Sequence, residues 1–280
     1  MNASPPTFIK RPIDSELDIR MKANRHNRLW AMLTTAVLLM GAAVSHAKSN
    51  LEGTWLLSKP QTLLVPADGS PVPFTEAGRK IYEQNRTSAQ GGDFSFDQTM
   101  QRCASPGIPR LMFSPKRFKI FERPGKVLFL FEWNHLFRQI DMRDDATIED
   151  SKALAGTENF AFDSFGVENT VGAQVGHARG RWEGRTLVAE TDHFVDYKMF
   201  DGLIQTSDQL KLTERIRLKD GNTLEYRATI ADPATFTKPW DVVLTYKRQP
   251  DAPLAEDLCL ERKRNGETPW PKPLDRPLER

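Results

Sequence analysis

Between Lys211 and Tyr246 the sequence reads KLTERIRLKD-GNTLEYRATI-ADPATFTKPW-DVVLTY. Apolar and polar residues alternate through Lys211–Leu218 and again through Asn222–Ile230, the period of a half-buried strand rather than a helix. Lys219-Asp220-Gly221 between them supplies turn chemistry. A two-residue Asp-Gly turn would set Ile216 against Glu225 and Leu218 against Thr223. A three-residue turn ending on a left-handed Gly221 pairs Ile216 with Leu224 and Leu212 with Ala228, which buries a consistent apolar face. That register is expected. It turns Glu214 inward, between Leu212 and Ile216 and opposite Tyr226. A carboxylate on a core face is costly unless paired or hydrogen-bonded.

The rest of the chain repeats this theme. Arg117–Glu122 alternates, Pro124-Gly125 turns, and Lys126–Trp133 is apolar on both faces, as a central strand would be. Leu136–Met142 and Trp240–Lys247 read as further strands. Phe74–Arg86 is expected to form a short helix capped by Thr75, and Thr147–Leu154 a capped helical turn. Lys59–Pro73 and Thr87–Pro109 read as loops, Asn159–Ala173 as a flap or connection, and Pro250 onward as a Pro-rich tail. Short strands with hairpin turns and few helices point to an all-β fold, one antiparallel barrel or a strongly curved sandwich, in a single domain over 48–280.

Residues 1–47 read as a signal peptide. Lys22, Arg25 and Arg28 precede the uncharged run Leu29–Val44, and Ser45-His46-Ala47 follows with small residues at the cleavage positions. Met21 is the more usual start for such a leader. The apolar run is 16 residues, short of the ~20 that span a bilayer, so no membrane span is expected after cleavage. Removing the leader takes away six of the 39 basic and three of the 37 acidic side chains, leaving 33 and 34. The mature charge of −1 lacks the basic excess of a nucleic-acid binder. Neither a phosphate-cradling loop nor a dinucleotide fingerprint occurs, and no cofactor is expected. In a periplasmic or secreted protein the only two cysteines, Cys103 and Cys259, are expected to pair.

Val175–Phe194 carries the densest set of reactive side chains: His177, Arg179, Arg181, Glu183, Glu190 and His193 around Trp182-Glu183-Gly184. It reads as a hairpin with two alternative registers. A two-residue Glu-Gly turn sets His177 opposite Glu190. A three-residue turn ending at Gly184 sets His177 opposite Ala189. His177 and Arg179 share a face in both. A histidine beside a carboxylate can act as general base and a neighbouring arginine can steady developing negative charge, with Glu190 or Glu214 as the orienting carboxylate. The plain alternative is a solvated face of an edge strand. No two of His135, His177 and His193 have a metal-motif spacing, and no serine elbow or HExxH helix is present. Phe129, Phe131, Trp133, His135 and Tyr226 are the candidate ligand-lining residues, with core filling as the competing role.

The string Gly176-His177-Ala178-Arg179-Gly180-Arg181-Trp182-Glu183-Gly184-Arg185-Thr186-Leu187-Val188 resembles a signature of mostly uncharacterised exported bacterial proteins, approximately Gly-His-Ser-x-Gly-Arg-Trp-Glu-Gly-Asp-Thr-Leu-Val-Val. Ala178 and Arg185 depart from its Ser and Asp. The resemblance extends to Gly53-Thr54-Trp55, Cys103 with Pro106-Gly107, Asp232-Pro233, Pro239-Trp240 and Cys259. It implies a lipocalin-like (calycin-type) barrel whose early Gly-x-Trp plugs one end. The expected function is the uptake of a small hydrophobic molecule, with acid–base conversion of an isomerase or lyase kind by His177, Arg179, Glu214 and Glu190. The alternative is a non-catalytic carrier.

Overall fold

Alternating side chains build strands that close on themselves. The structure is a computed structural model that describes residues 50–61, 63–144, 174–194 and 198–271. The leader, the expected turn at Thr147–Leu154 and the expected flap at Asn159–Ala173 lie outside them. The chain divides into two units, Met1–His46 and Ala47–Arg280, and all described residues belong to the second. Among the described residues no helix is long and apolar enough to cross a membrane.

The barrel strands are β1 (Gly53–Leu57), β2 (Phe118–Arg123), β3 (Lys126–Phe131), β4 (Phe137–Asp141), β5 (His177–Glu183), β6 (Thr186–Asp192), β9 (Lys211–Asp220), β10 (Thr223–Ala231) and β11 (Trp240–Arg248). They close in the order β1-β11-β10-β9-β6-β5-β4-β3-β2. A two-stranded ribbon, β7 (Lys198–Met199) with β8 (Gln205–Thr206), stands apart. Among the described residues, helices α1 (Glu76–Gln90), α2 (Gln98–Arg102) and α3 (Cys259–Arg264) lie around the barrel. Thr75 caps α1 as expected, accepting from the Gly78 amide, and the helix runs four residues further than the sequence suggests. The all-β expectation holds. One junction breaks the antiparallel rule: β4 and β5 run parallel, through Ile140↔Ala178 and Asp141↔Arg179 alone.

Both hairpin registers differ from expectation. In β9–β10, Leu218 faces Leu224 and Ile216 faces Tyr226, because the turn is Gly221-Asn222 and a bulge follows at Thr223/Leu224. The shift is by an even number of residues, so the inward face is preserved. Glu214 points into the lumen and faces Ala228, not Tyr226. In β5–β6 the turn is Gly184-Arg185, with Gly184 at φ 59, and His177 faces Asp192. Neither alternative register for that hairpin is the observed one. The observed pairing lines up Ala178 with Thr191, Gly180 with Ala189 and Trp182 with Leu187 on the inner face. It leaves the charged residues to the outer face.

One end of the barrel is closed by Trp55. Its indole nitrogen donates to the Leu51 carbonyl, and the Arg248 guanidinium lies over its ring at 4.2 Å from the centroid. Arg248 also donates to the carbonyls of Glu52 and Gly221, tying the start of β1 to the β9–β10 turn. Gly53 makes the approach possible, since a Cβ there would stand 2.3 Å from the guanidinium. The other end is capped by the C-terminal tail. Trp133 donates to the Pro269 carbonyl and packs edge-on against Trp270. Beneath Trp270 sits Arg110, paired with the buried Asp97. A Cys103–Cys259 disulfide fixes the tail, with Cα atoms 5.8 Å apart.

Candidate functional site

At the middle of the lumen the inner face becomes small and polar. A row across three neighbouring strands reads Gly180, Ala189, Glu214, followed by Ala228 on the next. The small side chains beside Glu214 leave room for one long side chain from the opposite wall. Arg138 of β4 fills it. Its Nη1 donates to Glu214 Oε1 at 2.8 Å, and its Nη2 makes a second, short contact with Oε2, completing a bidentate pair. Thr191 Oγ1 donates to Glu214 Oε2 (3.0 Å) and accepts from Arg138 Nη2 (2.9 Å). Tyr226 Oη donates to Glu214 Oε1 at 2.9 Å. Both charged side chains have no accessible surface at all.

Burial works against the charged form of Arg138, but the Glu214 carboxylate outweighs it and holds the guanidinium above its ordinary pKa. Burial, seconded by the Glu214 charge, pushes the Tyr226 phenol well above its usual range. Tyr246, whose hydroxyl donates to the Met112 carbonyl, is raised in the same way, by burial first and Glu214 second. The walls around the polar group are aromatic: Phe129 faces the Arg138 guanidinium at 5.9 Å, and Phe118, Phe131 and Tyr246 pack beside it. One donor is left over. Arg138 Nε is buried and has no hydrogen-bond partner, which costs about 1–3 kcal/mol for a group of this kind.

The structure does not assemble the four residues expected to act together. Glu214 is in the lumen. His177, Arg179 and Glu190 belong to the outer face of the β5–β6 hairpin, as the observed register requires. There Arg179 sits 3.7 Å from Asp192, His193 Nδ1 is 2.7 Å from Asp192 Oδ1, and the rings of His177 and His193 lie 5.9 Å apart. Glu190 pairs with Arg181, which also meets Glu183, and Glu183 meets Arg215. The hydrogen bond from Arg215 holds the Glu183 carboxyl below its usual range. This is a ladder of surface charges over the buried Val188, the solvated face weighed as the plain alternative.

Of the expected ligand-lining residues, Phe129, Phe131 and Tyr226 point into the lumen, and Trp133 is buried under the tail. His135 is exposed in the β3–β4 connection, with φ 50, and does not line the lumen. Among the described residues no group of three or more His, Cys, Asp or Glu is placed to hold a metal ion. Two residues of the site escaped sequence reasoning, Arg138 and Thr191. Arg138 had a signal: it lies in phase with Leu136 and Ile140, an arginine on an apolar face, as Glu214 lies between Leu212 and Ile216.

These features define a class: an all-β protein on a closed nine-stranded barrel, cross-tied by a disulfide, with a buried Arg–Glu–Tyr–Thr cluster in its lumen. No protein-family model matches the sequence, and no curated protein matches it.

Proposed function

We propose that this is an exported, lipocalin-like binding protein that carries a small, largely apolar molecule bearing one hydrogen-bond acceptor, a carboxylate or a carbonyl. The observation that carries this is the unpartnered Arg138 Nε, a buried cationic donor held among aromatic rings. An acceptor on a ligand would satisfy it, and the apolar remainder would lie along Phe129, Phe131 and Tyr226. The closure of one barrel end by Trp55 and the resemblance of the 176–188 string to exported lipocalin-like proteins support the fold type. The Cys103–Cys259 disulfide supports an oxidising compartment.

Carriage is favoured over acid–base conversion. Glu214 already accepts from Arg138 twice, from Thr191 and from Tyr226, so no oxygen is turned toward a substrate. The phenol of Tyr226 stays protonated far above neutrality. His177 and Arg179 lie outside.

The test uses parinaric acid, a fluorescent apolar chain with one carboxylate. The wild-type protein is expected to bind it saturably at one site. The double variant Arg138→Met/Glu214→Leu removes the charges together and so keeps the fold, checked by circular dichroism. It should bind at least about ten-fold more weakly, a loss of ~1.4 kcal/mol. Absence of saturable binding, or equal binding by the folded double variant, overturns the proposal.

A further inference from the structure

Phe129, Trp133 and Tyr226 have no accessible area and Arg138 almost none, so no water-sized space adjoins them. A ligand reaches Arg138 only if part of the wall gives way. The two ends are poor doors: Arg248 ties three segments together over Trp55 at one, and a disulfide pins the tail at the other. We infer that the lumen opens sideways, by parting of β4 from β5. This inference rests on the proposed uptake of a ligand into the lumen.

The β4–β5 junction is the weakest in the barrel wall. It has two residue pairs, against three at each of the two β1 junctions, seven between β5 and β6 and nine between β9 and β10. It is also the parallel one, and parallel pairing is slightly less stable per residue. Phe137, Arg138 and Gln139 pair with β3 on one side, and among the described residues no strand pairs with them on the other. Beside the short backbone ladder, side-chain contact fastens the seam. Gly180 forms a notch, and a Cβ built there would stand 2.6 Å from both Ile140 Cγ2 and Met142 Sδ. The end of β4 thus lies across β5 through two apolar side chains seated over a glycine, so parting the strands breaks a short backbone ladder and an apolar contact.

Position gives the seam its consequence. Arg138 is two residues from Ile140 on the same inner face of β4, so parting the strands uncovers Arg138 before any other lumenal polar group. At the end of β4 the surface carries a groove of about 760 Å³ whose lining includes Met142, Trp182, Arg123 and Arg181. Met142 and Trp182 offer apolar surface there; the arginines share the lining with Glu52, Glu122 and Asp144, and Arg123 pairs with Glu52, so the rim suits a polar headgroup. An amphiphile seated in this groove lies against the loose edge, with Ile140 and then Arg138 ahead of it along β4.

Hydrogen exchange on the full-length protein reads the seam directly. Amides of β4 and β5 should exchange at least ten-fold faster than those of β9 and β10, and parinaric acid should slow them. Equal protection of the two regions overturns the inference. A lock provides the second measurement. In Asp141→Cys/Arg179→Cys, at paired positions across the seam, oxidation should slow the association of parinaric acid at least ten-fold relative to either single-cysteine variant. Binding that proceeds at the same rate through the locked seam refutes lateral entry. A fast-exchanging seam in a protein that binds no parinaric acid would uphold the opening and count against carriage alone.

Discussion

Arg138 and Glu214 illustrate how a buried pair stabilises only as a pair. Each offsets the cost of desolvating the other, and Thr191 and Tyr226 occupy the remaining carboxylate positions. Removing one partner strands a charge in an apolar lumen, so Arg138→Met or Glu214→Leu alone should cost about 3–5 kcal/mol, measured by urea unfolding. The double variant should recover most of that loss, and a double-mutant cycle reads the difference. Tyrosine ionisation adds a pH dependence. The folded state holds Tyr226 and Tyr246 protonated, their pKa values pushed well above that of an ordinary phenol by burial and the Glu214 charge. A raised folded pKa contributes stability that is complete below the unfolded value and is lost as pH rises through the folded one. Stability should therefore decline from about pH 10 upward. Tyr246→Phe should make that decline shallower, as followed by unfolding titrations between pH 8 and 12.

Among the elements, strand identity was more legible than register. The alternation in Lys211–Leu218 and Asn222–Ile230 marks β9 and β10 with their inner faces correct, yet the turn lies one residue later than Lys219-Asp220-Gly221. A bulge at Thr223/Leu224 absorbs the difference. Turn residues alone did not reveal it, because Asp-Gly and Gly-Asn are both competent turn formers. For β5–β6 the two-residue Glu-Gly turn and the observed Gly184-Arg185 turn differ by an even shift and turn the same faces inward, so alternation alone could not choose between them. What identifies the inner face is tertiary: β9 lies alongside β6 and sets Leu187, Ala189 and Thr191 beside Ile216, Glu214 and Leu212. The plug at the β1–β11 junction is an element-level feature that can be tested. Arg248→Met removes the cation over Trp55 and the donors to Glu52 and Gly221. It should cost about 1–2 kcal/mol and raise the solvent exposure of Trp55, read by indole fluorescence quenching.

At the scale of the molecule, the class of fold and the disulfide were open to sequence reasoning because both depend on composition and period. The lumenal cluster was only half visible. Glu214 stood out within its own strand, whereas Arg138 lies 76 residues away and joins it through closure of the barrel, which no local pattern encodes. The disulfide closes a separation of 156 residues. Its reduction should lower stability by up to about 5 kcal/mol in the chain-entropy account, seen as a drop in the unfolding midpoint between oxidised and reduced protein.

The cross-lumen pair also imposes an order on assembly. The barrel strands form two meanders: β1 to β4 early in the chain, and β5, β6 and β9 to β11 late. Arg138 belongs to the first and its counter-ion to the second. An early meander that collapsed on its own would have to bury a guanidinium with no carboxylate to meet it, a penalty of several kcal/mol. The first half of the chain is thus kept from packing a dry interior until β9 arrives. The same charge that finishes the core late also guards the unfinished chain against closing on itself too soon.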